Sequence, residues 1–173
     1  QGVIVGDGPL RPQLHQRAAE LGVAQRLRFT GRLASPWRVL PAFDVLLITS
    51  DRESMANVML EAMAAGVPTV STPVDGAREA LGTEGAAGSI VEGIADGIVG
   101  RTVGGIVAPG FDAEALRTSL APLLDGSEAR QKMAQHAQLR HAQYFTPERS
   151  ALEWEAVLRR VAFSAGRAPR QSG

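Results

Sequence analysis

The sequence lacks cysteine entirely. That excludes a disulfide scaffold, thiolate zinc sites and cysteine nucleophiles, and it leaves the compartment open. It also lacks an excess of either charge, with 18 basic against 18 acidic residues. A net charge near zero supplies no electrostatic case for a nucleic acid or an anionic membrane as partner. No apolar run approaches the roughly 20 residues that span a bilayer. His15, His136 and His141 show no metal-ligand spacing, so no metal site is expected and all three read as surface residues. No signal peptide precedes the first apolar run. The chain opens in what reads as mid-strand, so we expect a piece of something longer.

What is present is a soluble-protein composition, 45% hydrophobic and 21% charged, in a chain of one-domain length, 173 residues. "GVIVG" (residues 2–6) reads as a buried strand that ends in the Gly-rich turn "GDGP". Pro9 suits the first turn of a helix, and Leu10, Leu14, Ala18 and Leu21 follow at helical spacing up to Gly22. "RLRFTG" (26–31) reads as a second strand. "SPWRVLPAF" reads as a short helix with Ser35 as cap and Pro41 as stop. "DVLLITS" (44–50) is a third strand, apolar on both faces. "VPTVST" (67–72) is a fourth and "GGIVAP" (104–109) a fifth. "DGAREAL" is a short helix, and two or three helices fill 112–163. Trp37 and Trp154 read as packing residues. Arg159 and Arg160 read as a solvated helix face.

Strands alternating with helices predict an α/β parallel sheet covered on both faces. Right-handed crossovers then bring the loops 6–9, 31–35, 50–56 and 73–76 to one sheet edge, where ligands of such sheets bind. The expected domain runs over 1–163, with a Gly-rich insertion at about 82–105 and a disordered tail at 164–173. The insertion carries eight glycines and reads equally as a small hairpin or a long loop.

The segment "SDRESMANVMLEAMAAGVPTVS" (50–71) is the most informative. A helix from Met55 to Ala65 is expected, with Ser54 as N-cap and Gly66 as stop. Met55, Val58, Met59, Ala62 and Met63 form its apolar stripe. Ser54, Asn57 and Glu61 fall on the opposite side, and Glu53 lies just before the helix. Free N–H groups at the helix start favour a phosphate. A carboxylate two turns in can accept both hydroxyls of a ribose. A carboxylate in the loop can receive hydroxyls of a second sugar. Together these describe a nucleotide-sugar, although Glu61 alone on a helix face is ordinarily just a solvated residue.

At these residues the sequence resembles a known family. "ESMANVMLEAMAAGVPTV" is similar to the E-x7-E signature of retaining, nucleotide-sugar-dependent glycosyltransferases of the GT-B fold, glycosyl transferases group 1. "VIVGDGPLRPQLHQRAAELGVAQRLRFTGRL", "AFDVLLITSDRES", "TPVDGAREAL", "GGIVAPGFDAEAL" and "YFTPERSALEWEAVLRRV" resemble further ordered segments of that family. The resemblance covers about residues 2–161. It implies a Rossmann-like parallel sheet flanked by helices, the C-terminal, donor-binding half of a GT-B fold.

By that resemblance Glu61 takes the ribose hydroxyls and Glu53 contacts the transferred sugar. The backbone around Ala56, Asn57 and Val58, with Ser54 and Met55 beside it, faces the diphosphate or the sugar. Arg32 and Leu33 line the base pocket, and Gly6 and Gly8 sit near the nucleotide. The donor is expected to be a UDP- or GDP-sugar, with no cofactor and no metal. The family's Arg and Lys grip on the diphosphate and its amino-terminal acceptor domain are absent from this sequence. Ser54 stands where Gly is common, and Ala56 where Gly or Pro is. The expectation is therefore a cytoplasmic donor-binding half that is inactive alone. Family members that act on lipid acceptors imply peripheral membrane association of the full-length enzyme.

A non-catalytic nucleotide-binding remnant of the same fold is the alternative. A dinucleotide oxidoreductase fits poorly: "GDGPLR" lacks the third Gly, and Phe29-Thr30 stands where an acidic residue would close the second strand. Nucleotide-sugar epimerases have no support in the 53–61 segment.

Overall fold

The computed structural model describes residues 1–82 and 103–165. The expected insertion, apart from its ends, and the tail from 166 lie outside them. The chain divides into two compact units, Gln1–Leu40 and Pro41–Gly173.

In the first unit, β1 (Gly2–Val5) runs parallel to β2 (Leu27–Gly31). The pairing shifts register between Ile4 and Val5. Helix α1 (Arg11–Glu20) connects them, followed by a 3-10 turn at Ala24–Arg26. The first-turn proline of α1 is Pro12, not Pro9, because the helix starts later than its apolar spacing suggests. Of the four residues at helical spacing only Ala18 is buried, while Leu10, Leu14 and Leu21 are exposed. β1 is likewise not a buried strand, since a two-stranded sheet leaves Val3 and Ile4 largely open. The segment read as a helix capped by Ser35 is a 3-10 helix, Pro36–Ala42, with Pro41 inside it. Trp37 is exposed on it rather than packed.

The second unit is built on three parallel strands. They are β3 (Leu46–Ile48), β4 (Thr69–Ser71) and β5 (Gly105–Val107), with β4 in the middle. Leu46 to Ile48 pair with Thr69 to Ser71, which pair in turn with Gly105 to Val107. Side chains of a strand alternate between faces, and each face meets its own helices. Val70 and Ile106 pack on Leu123 and Met133, from α4 (Ala113–Asp125) and α5 (Ser127–Tyr144). Ile48 and Val107 pack on Met59, Met63, Ala80 and Leu81, from α2 (Asn57–Ala65) and α3 (Ala77–Leu81). This is the double covering expected of parallel strands. β3 departs from it in part, because Leu47 is exposed at the sheet margin.

Asp112 caps α4, its carboxylate accepting from the Ala115 amide at 2.9 Å. Arg130 of α5 donates to the Leu123 and Leu124 carbonyls at the other end of α4. Arg140 of α5 donates to the Glu79 and Ala80 carbonyls at the end of α3, and its guanidinium lies over the Tyr144 ring. The last helix, α6 (Pro147–Ala165), keeps Trp154, Leu158 and Val161 exposed, so Trp154 is not a packing residue in this chain. No helix among the described residues is long and apolar enough to cross a membrane.

Candidate functional site

Loop pairs at the ends of the strands meet within each unit. In the second unit, β3 leads into loop 50–56 and β4 into loop 72–76. The Thr72 amide donates to the Ile48 carbonyl at 3.0 Å, and the Thr72 hydroxyl donates to the Ser50 carbonyl at 2.6 Å. Gly76 lies flush against the Ser54 backbone. Sequence reasoning did not single out Thr72. A threonine after an apolar strand carries no signal until its long-range partner is known.

Loop 50–56 delivers the chain into α2, and α2 orients the second glutamate. Met59, Ala62 and Met63 are fully buried. At ~100° per residue, Met59 and Met63 lie about 160° round the helix from Glu61. Glu61 therefore sits away from the core face and is half-buried on its flank, one turn from the exposed Asn57. Gly66 closes the helix in the left-handed conformation, φ 71°, as the Gly-Val-Pro sequence predicts. Val58 was expected in the core stripe but is 37% exposed.

The helix start differs from expectation. The helix begins at Asn57, and its N-cap is Ala56 in an extended conformation, φ −75° and ψ 115°. Ser54 is two residues too early to cap, because the loop is held against 72–76 and turns into the helix late. An alanine cap offers no side-chain acceptor, and α2 has no side-chain cap hydrogen bond. The first amides of a helix have no carbonyl partner within it. Those of Asn57 and Val58 thus form a positive helix end with no capping side chain beside it. Ala56 is buried and Met55 half-buried, while Glu53, Ser54 and Asn57 are exposed. The structure so brings Glu53, Ser54, Met55, Ala56, Asn57, Val58 and Glu61 onto one loop and one helix start. The arrangement can hold an anion at the helix end and hydroxyls at a carboxylate on either side.

In the first unit, Gly6 and Gly8 lie in the loop after β1, and Arg32 and Leu33 in the loop after β2. The Gly6 amide donates to the Gly31 carbonyl at 3.0 Å, which joins the two loops. The Gly8 amide donates to the Asp7 carboxylate at 2.9 Å, and Arg11 pairs with Asp7 at 3.5 Å. Arg32 is exposed and Leu33 half-buried.

Two carboxyls on α4 and α5 are shifted by basic neighbours. A hydrogen bond from Arg117 holds Glu114 below the usual carboxylate range, and one from Lys132 does the same for Glu128. Both pairs sit on exposed helix faces, where water screens them. His15 is exposed and stacks on Phe29 with ring centroids 4.0 Å apart; His136 and His141 are half-exposed on α5. The described residues hold no cluster of three or more side chains suited to a metal ion.

Comparison with known proteins places this architecture. The chain is 38% identical over 90 residues to the Vi polysaccharide biosynthesis protein VipC/TviE of Salmonella typhi, covering 52% of this chain and 15% of that one. It is 39% identical over 119 residues to the lipopolysaccharide core biosynthesis glycosyltransferase LpsE of Rhizobium meliloti, covering 68% of this chain and 33% of that one. The chain thus spans a third or less of the length of these relatives. Among solved structures, Anabaena HepE in complex with UDP superposes with a TM-score of 0.72 at 23% identity, over 90% of this chain and 40% of that one. The fold is accordingly α/β, with Rossmann-like parallel sheets flanked by helices, as in one half of GT-B glycosyltransferases. The family profile of glycosyl transferases group 1 matches residues 1–125, and the chain belongs to that family.

Proposed function

We propose that this chain carries the donor site of a retaining glycosyltransferase and binds a nucleoside-diphosphate sugar. The observation that carries the reading is the start of α2. An uncapped helix end stands between a loop carboxylate, Glu53, and a helix carboxylate, Glu61, turned away from the core. In this reading the amides of Asn57 and Val58, with Ala56, Ser54 and Met55 beside them, receive the diphosphate. The Glu61 carboxylate accepts the ribose hydroxyls, and the spacing of the two glutamates is the E-x7-E motif. Glu53 accepts hydroxyls of the transferred sugar and is the residue assigned to catalysis.

Stabilising the departing diphosphate is the main lever on an oxocarbenium-like transition state, and the positive start of α2 contributes to it without a metal. HepE structures with UDP and with UDP-glucose support a uridine donor. The chain spans a third or less of the length of its relatives, and we expect it to bind donor without transferring sugar when alone.

Isothermal titration tests this. UDP-glucose should bind the chain, and Glu61→Ala should weaken it about tenfold to a hundredfold, the range for losing hydrogen bonds to a charged group. Equal affinity in the variant would remove Glu61 from the site. Binding with no transfer in the full-length protein would favour a non-catalytic nucleotide-binding module.

A further inference from the structure

Glu53 stands on an exposed three-residue tip, Asp51 to Glu53, and that tip is gripped on both sides by one other segment. On the leading side, the Thr72 hydroxyl donates to the Ser50 carbonyl at 2.6 Å. Thr72 is 1% exposed and Ser50 half-buried, so this bond is partly shielded from water. On the trailing side, Gly76 adopts φ 74°, and a Cβ there would overlap the Ser54 carbonyl oxygen. The same Cβ would stand 3.2 Å from the Ser54 carbonyl carbon and 3.6 Å from the Met55 Cα. The obstruction is backbone, which cannot swing aside as a side chain can.

The gripping segment is itself anchored. The Ala80 amide donates to the Gly76 carbonyl at 2.8 Å, and Arg140 holds the far end of α3. Glu61, by contrast, is oriented by the buried Met59 and Met63. The two glutamates thus depend on different direct contacts, although Met59, Met63, Val74 and Ala77 share one core cluster.

We propose that Thr72 and Gly76 are positioning residues for Glu53: they set its reach toward the donor sugar and leave the nucleotide contact at Glu61 unaffected. The inference rests on the donor-site reading above. Neither residue touches the donor; both act through the Ser50–Ser54 backbone.

The test compares Thr72→Val and Gly76→Ala with Gly66→Ala. Gly66 has a matching φ of 71°, but the nearest atoms to a Cβ there belong to the flexible Gln138 side chain, so that control carries the strain without moving the loop. Amide hydrogen exchange reads residues 50–56, and titration of the chain reads UDP against UDP-glucose. Thr72→Val and Gly76→Ala should each speed exchange in 50–56 roughly fivefold, with the sheet still protected. Each should erase a roughly tenfold advantage of UDP-glucose over UDP, and Thr72→Val, which acts at Ser50 and not at the diphosphate, should keep UDP affinity within about threefold. Gly66→Ala should change neither readout.

Unchanged loop exchange in the variants, or a loosened loop with the UDP-glucose advantage intact, overturns the proposal. A wild type that binds UDP but gains nothing from the glucose also overturns it. Wild-type chain that binds neither ligand overturns the donor-site reading itself, and the positioning role with it. Should Gly76→Ala fail to fold, Thr72→Val decides alone, because valine keeps the shape and removes only the hydrogen bond.

Discussion

Truncating Met63 tests which face of α2 meets the core, and so where Glu61 points. Met63 is fully buried, in one cluster with Met59, Leu81, Val107 and Ala137. Alanine removes about three carbon-sized groups at ~0.8 kcal/mol each. A void of about 40 Å³ left after partial collapse adds ~1 kcal/mol at ~24 cal/mol per Å³. Met63→Ala should therefore cost about 3 kcal/mol. With a slope of about 2 kcal/mol per molar, the urea midpoint followed by circular dichroism falls by about 1.5 M. Val58, 37% exposed on the same helix, is the internal comparison. Val58→Ala should cost under about 1 kcal/mol. A loss below about 1 kcal/mol for Met63→Ala, or equal losses for the two, would refute the assignment. Glu61 would then not be directed away from the core.

Two further substitutions probe how the elements are held. Arg140→Ala removes the donors to the Glu79 and Ala80 carbonyls and the stacking on Tyr144, and should cost about 2–3 kcal/mol; chemical denaturation measures it, and a loss under about 0.5 kcal/mol would contradict the anchoring of α3. Asp112→Ala removes the cap of α4 and should cost about 1 kcal/mol, with Asp112→Asn recovering most of it in the same assay.

The strands and the stop of α2 were legible because their signals are local. A β-branched run bounded by turn residues needs no partner to be recognised, and Gly66 after a small-residue segment takes the left-handed cap that few other residues tolerate. The start of α2 was not legible. Ser54 has the chemistry of a cap, yet Thr72 and Gly76, distant in sequence, hold the loop so that Ala56 takes that place. Burial was misread for a related reason. Val3, Trp37 and Trp154 have apolar side chains, but residue type does not say whether another element covers them. The glutamates themselves were found by spacing and by resemblance to a family. Their surroundings, an uncapped helix end and a loop gripped from two sides, needed the fold.

The most direct measurement is a crystal structure of this chain with UDP-glucose bound. Ribose hydroxyls should be hydrogen-bonded to the Glu61 carboxylate, with a phosphate on the amides of Asn57 and Val58 and glucose hydroxyls against Glu53. A nucleotide seated elsewhere, with Glu61 turned to solvent, would contradict the donor-site reading.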